Sequence, residues 1–193
     1  MGLKFTKYPA DTFSTIQLNA GIICEGFDPE TLAVTNILGA TTGGVTFASN
    51  PTYVDFGEDV DNVPANTQEL KKLQAFDPVF SGTMITVSPT SVKRALAAAD
   101  IDTGGVKVVP RAVLKTADFH DIWWIGDYSD VNEGNNAGFL AIHLMRALNQ
   151  TGFQFQSTKN GKGTSAFEFH GHYTLTDEES TPPFEIYVKA GTT

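Results

Sequence analysis

At 193 residues, with 41% hydrophobic and 18% charged side chains, the chain has the composition of one globular domain with room for a substantial core. Its net charge of −9 excludes a protein that grips nucleic acid through clustered phosphate contacts, which require Lys and Arg. The single cysteine, Cys24, excludes an internal disulfide and suits a reducing compartment. Gly (18), Phe (14) and many Thr and Val favour a β-rich chain over a helical bundle. Met1–Thr6 holds no apolar run, so no signal peptide is expected; M-G-x-x-x-T fits the myristoylation pattern but nothing else suggests a lipid anchor. No window reaches the ~18 apolar residues of a membrane helix.

In chain order, Thr12–Cys24 alternates loosely and reads as a strand and a turn. Gly39–Gly44 reads as a loop, and Val45–Ser49 and Thr52–Phe56 as short strands around Asn50-Pro51. The stretch from Tyr53 to about residue 82 is then too long for a hairpin turn and too polar for a core, since connections beyond ~12–15 residues are mostly functional or disordered. Val54, Phe56, Leu70, Leu73, Phe76, Val79 and Phe80 punctuate it, so it reads as an ordered loop that docks on something, with another copy of the chain as the best candidate. Inside it, Thr67–Leu73 reads as a brief helix with Asn66 as N-cap and Glu69 three residues on.

Met84–Val87 returns to strand, and Ser88-Pro89 opens a helix over Pro89–Ala99 with Val92, Leu96 and Ala99 on its apolar face. Strand-like runs follow at Val106–Leu114, Asp118–Tyr128, Phe139–Leu148, Phe153–Ser157, Ala166–Leu175 and Phe184–Val188. Phe139–Arg146 fits an amphipathic helix as well as a strand apolar on both faces; its place between strand-like runs with short loops favours the strand. The sum is one mainly β domain over residues 1–193, an antiparallel sandwich or half-barrel of about eight to ten strands with one flanking helix.

The chemistry-bearing residues form no defensible site. His170 and His172 share a strand face, but a metal needs further ligands and no motif links them to His120 or His143. Gly161-Lys-Gly-Thr164 lacks phosphate-loop spacing, Cys24 has no C-x-x-C partner, and the paired carboxylates lie in polar loops. No catalytic residue, cofactor or metal is expected, and no enzyme. One electrostatic feature survives: Glu58, Asp59, Asp61 and Glu69 make the long stretch acidic, and Asp127 and Asp130 begin a second acidic run. Ordinary solvated surface accounts for both. In a ring of copies such side chains could line a bore that repels DNA phosphates.

With G-A-T-T-G-G-V-T-F (39–47), D-F-G-E-D-V-D-N-V-P-A-N-T-Q-E-L-K (55–71), the block from Gly138 to Gly163, F-E-F-H-G-H-Y-T-L (167–175) and P-P-F-E-I-Y-V (182–188), the chain resembles a major tail protein, the tail tube subunit of long-tailed bacteriophages. These segments span most of the chain from residue 39 onward, and their order and spacing carry the resemblance. It implies a β-sandwich or barrel with a flanking helix, hexameric rings stacked into a tube, and a long loop reaching a neighbouring subunit. The implied setting is the virion tail, assembled in the host cytoplasm with tape-measure, tail-terminator and tail-tip proteins, with genomic DNA as transient cargo and no membrane. On that reading Phe56, Leu70, Leu73, Phe76, Val79 and Phe80 are the subunit-interface anchors. The alternative is a non-enzymatic β-sandwich that binds a carbohydrate or protein through Trp123, Trp124 and Tyr128, although adjacent tryptophans on a strand point to opposite faces.

Overall fold

Alternating and doubly apolar runs organise the chain into antiparallel strands in a computed structural model, which describes Thr12 and residues 16–127, 138–176 and 181–190. In order these are β1 (Ile22–Phe27), β2 (Val34–Gly39), β3 (Thr41–Ala48), β4 (Pro51–Asp55), β5 (Lys71–Phe76) and β6 (Val79–Met84). After the helix α1 (Pro89–Ala95) come β7 (Ala99–Ile101), β8 (Val108–Pro110), β9 (His120–Asp127), β10 (Phe139–Asn149), β11 (Ser165–His170) and β12 (Phe184–Lys189). Eight strands form one open sheet in the order β2-β1-β9-β10-β11-β6-β3, with β12 also on β10; β4–β5 and β7–β8 are separate two-stranded ribbons. The mainly β, antiparallel fold read from the sequence is the fold observed, as an open sheet and not a closed barrel.

The long strand β10 curls the sheet. Its first half, Phe139–Leu144, pairs with both β9 and β12, and its last two residues pair with β11. Between them the register slips at Arg146, whose φ of 49° is left-handed. Asp121 accepts the Arg146 N–H at 2.9 Å, and Arg146 Nε donates to the His172 carbonyl at 2.7 Å, so the corner is held from both sides. Such a bulge lets one strand serve two halves of a sheet. Both halves therefore line one core, where Ile23, Ile122, Trp124 and Leu144 meet Phe80, Met84, Phe167 and Phe169. A second cluster, Cys24, Trp123, Phe139 and Ala141, sits on the opposite face of the β1-β9-β10 half. Adjacent Trp123 and Trp124 thus fill opposite faces, and both are buried.

The helix begins where Ser88 was expected to cap it. Ser88 Oγ accepts the Ser91 N–H at 3.1 Å, and Ser91 Oγ accepts the Ser88 N–H at 2.8 Å. It ends earlier than expected, because Ala97 turns left-handed (φ 60°) and Ala99 starts β7. Its buried side chains are Ser91 and Ala95, with Val92 and Leu96 half-buried. Buried Asn149 joins it to the sheet: Nδ2 donates to the Ala95 carbonyl at 2.7 Å, and Oδ1 accepts the Glu168 N–H at 2.8 Å.

Several other expectations give way. Of the loop expected over Gly39–Gly44 only Ala40 lies outside a strand, since Gly39 ends β2 and Thr41 starts β3; Gly43 and Gly44, at φ 75° and 82°, form a bulge that lets β3 stay in register with β6. The expected helix at Thr67–Leu73 is a 3-10 turn, Gln68–Leu70, and Lys71 already belongs to β5. Thr67 Oγ1 donates to the Pro64 carbonyl instead of capping, and pairing with β4 overrides the helix propensity of Lys, Leu, Gln and Ala. The return strand is Val79–Met84, not Met84–Val87. Val106–Leu114 contracts to β8 because Asp102 gathers the Val106 and Lys107 N–H groups into a turn. Phe153–Ser157 contributes only the bridge Gln156–Thr164, and the edge strand β2 was not anticipated. Tyr128, Asp130 and part of the Thr12–Cys24 reading lie outside the described residues.

Candidate assembly interface

The expected long loop is a β-ribbon arm. β4 and β5 pair with each other and with no strand of the main sheet. Pro51 faces Phe76 at the root and Asp55 faces Lys71 where the tip begins. The tip, residues 56–70, is built around Asp55, whose two oxygens accept the Gly57 and Asn66 N–H groups at 2.9 Å each. These bonds hold the Asp55 carboxyl below its ordinary value, led by the one from Gly57. The Phe56 N–H donates to the Leu70 carbonyl at 3.0 Å. Gly57 is buried inside the tip, and a Cβ there would stand 2.8 Å from Leu70 Cδ1, so any side chain at this position would have to push the Leu70 side chain aside.

The root is tied to the sheet by specific bonds. The Asp77 N–H donates to the Asn50 carbonyl at 3.1 Å, the Tyr173 hydroxyl oxygen accepts the Phe76 N–H at 3.0 Å, and the Gly171 N–H donates to the Pro78 carbonyl at 2.9 Å. The Phe76 ring meets Phe184 edge-on at 5.3 Å. His170 lies between Asp77 at 2.9 Å and Glu168 at 3.0 Å. Burial disfavours charge on that imidazole, but the bonds to Asp77 and Glu168 outweigh it and raise its pKa.

The six expected anchors separate into three groups. Phe56 and Leu73 are exposed, at 60% and 48%, with Tyr53 (54%) and Val60 (49%) beside them on the arm. Leu70, Phe76 and Val79 are half-buried: Leu70 closes the tip, Phe76 fastens the root, and Val79 opens β6. Phe80 is fully buried between β3 and β11, stacked near Phe47, so it is a core residue and not an anchor. Only the turn Asp77-Pro78 separates arm from core, and the apolar run Phe76–Phe80 hides that boundary in the sequence. Tyr53 and Val60 were not singled out; Tyr53 lies two residues before Asp55 on a strand whose partner, β5, begins inside the helix expected over Thr67–Leu73.

Glu58, Asp59, Asp61 and Glu69 are all exposed on the arm. Asp127 is exposed at the end of β9, opposite Phe139 at the start of β10, and accepts a bond from Asn19 at 3.0 Å. The two acidic groups are therefore carried by different sheets.

The histidines are spent on separate neighbours. His120 faces the Arg94–Glu25 ion pair, and burial, then the Arg94 charge, lowers its pKa. His143 stacks on Trp123 at 4.0 Å between Asp121 (3.4 Å) and Glu185 (3.5 Å). His172 faces the Arg146 carbonyl and the edge of Phe119. Among the described residues no group of three or more His, Cys, Asp or Glu is placed to hold a metal ion. An apolar cavity of about 540 Å³ lies beside Ile22, Phe27, Leu32, Ile125 and Phe139. No described helix is long and apolar enough to cross a membrane. The chain matches no protein-family model, and no curated protein shows similarity to it.

Proposed function

We propose that the protein is a self-assembling structural subunit whose copies join into rings and stacked tubes, in the manner of the phage tail tube proteins it resembles. The observation that carries this reading is the β4–β5 arm: a braced, ordered ribbon that presents Tyr53, Phe56, Val60 and Leu73 to solvent. Apolar side chains on a rigid projection gain most when a partner covers them, and cost little ordering entropy when it does. The open sheet supports the same reading, since β2, β3 and β12 each pair on one side only among the described strands. Unpaired edges are sites where another chain adds. On this reading the protein is not an enzyme and its first partner is itself. Tape-measure, terminator and tip proteins and passing genomic DNA belong to the same proposal. The alternative of an aromatic binding module is weakened because Trp123 and Trp124 are both buried.

Since Pro51 and Phe76 face each other, residues 52–75 are replaceable by an Asn-Gly turn without touching β6. Wild-type protein should form rings or tubes in negative-stain micrographs, and the armless variant should stay monomeric with its far-UV dichroism otherwise retained. Normal tubes from the armless variant would remove the arm from assembly. A wild type that stays monomeric at every concentration would overturn the reading itself.

A further inference from the structure

A second exposed apolar surface lies elsewhere in the same chain. Between β7 and the 3-10 turn Thr116–Asp118, the chain exposes Val106 (84%) and Val113 (68%), with Val109 and Leu114 close behind. Lys107 and Lys115 stand exposed among them. The acids of this region are engaged with their own neighbours: Asp102 accepts the Val106 and Lys107 N–H groups, and Asp100 lies 2.8 Å from Arg111 Nε and 3.7 Å from Lys115 Nζ. Arg111 also holds buried Asp118, which fixes the segment against the turn. The result is a fastened apolar ledge with exposed ammonium groups on a chain whose net charge is −9.

The arm tip has the complementary character. It carries exposed Phe56 and Val60 with Glu58, Asp59 and Asp61, and no basic residue between Phe56 and Leu70. Resting on the self-assembly reading above, we propose that the arm tip of one copy docks on the β7–β8 ledge of a second copy, Phe56 and Val60 against Val106 and Val113, with Glu58, Asp59 and Asp61 facing Lys107 and Lys115. Both surfaces are exposed in one chain, so the arm does not cover its own ledge. The contact joins two different patches, is therefore heterologous, and propagates from copy to copy. Charge pairing at its margin sets partner and register, and apolar burial supplies the affinity.

The test is a charge exchange. Lys107→Glu with Lys115→Glu should raise the concentration needed for assembly at least about tenfold, and Glu58→Lys, Asp59→Lys and Asp61→Lys should do the same. Both sets in one chain should return assembly to near the wild-type concentration, read by sedimentation velocity. In parallel, Val60→Cys chains mixed with Val113→Cys chains should give a mixed disulfide on oxidation; Cys24 does not compete, being buried with its thiol pushed up to about 11. Wild-type assembly with unaffected ledge variants and no mixed disulfide would overturn this contact and leave the self-assembly reading standing. Absence of wild-type assembly would overturn both.

Discussion

Two phenylalanines on either side of the Asp77-Pro78 turn do opposite work. Phe80 lies opposite Phe47 on β3 and Phe169 on β11, with no exposed surface, so truncating it empties a core site. Phe80→Ala should cost about 3–5 kcal/mol, read as a lower urea midpoint that does not depend on protein concentration. Phe56 lies on the arm and is 60% exposed. Phe56→Ala should leave monomer stability within about 0.5 kcal/mol and abolish assembly. Equal losses of stability in the two variants would make Phe56 a core residue and remove the basis for the docking role. In sequence both residues are apolar positions of the same largely polar stretch, and only the pairing of β6 with β3 and β11 tells them apart.

Among the elements, the arm is governed by its root. His170 on β11 faces two carboxylates, Asp77 on the arm–sheet turn and Glu168 on its own strand, while its backbone neighbours on β6 and β10, Val79 and Leu148, carry no charge. Its pKa is raised in the folded chain, so the stabilisation is complete below the ordinary histidine value and is lost as pH rises through the raised one. His170→Gln should therefore lower the melting temperature more at about pH 5.5 than at about pH 8.5, where the wild-type advantage has gone. A gap that does not change with pH would mean the charged imidazole does not fasten the turn. Other elements were legible to differing degrees for physical reasons. β9, β10 and β12 were readable because apolar runs bounded by turn residues admit few alternatives, and β10 was recognised as a strand in spite of a helix-compatible pattern. β2 was missed because an edge strand with Val34, Thr35 and Asn36 in water has no apolar alternation to reveal it. The start of β5 fell inside the helix expected over Thr67–Leu73, because those residues have helical propensity and the strand partner β4 is distant in sequence. The candidate interface was legible as a stretch, from its length and its apolar punctuation, but not as a ribbon. The exposed apolar segment around β8 was not legible, since Val106–Leu114 reads as an ordinary strand until Asp102 is seen to turn it.

For the whole molecule, the proposed heterologous contact would give each copy a giving end and a receiving end. A chain with residues 52–75 replaced by an Asn-Gly turn keeps Val106, Lys107, Val113 and Lys115 but has no tip to offer. On that proposal such a subunit would accept an arm and pass nothing on, and so would act as a terminator and not merely as a bystander. Added at about one part in ten to wild-type protein, it should shorten the tubes far more than dilution by the same amount, because each incorporated copy removes a site of growth. A ledge-reversed chain, Lys107→Glu with Lys115→Glu, should terminate from the opposite end, and the two variants mixed together should join only armless ledge to intact tip. Length distributions from negative-stain micrographs would measure this directly. Tubes of unchanged length with the armless chain incorporated would mean that growth is carried by the free edges of β2, β3 and β12, with the arm as a dispensable brace.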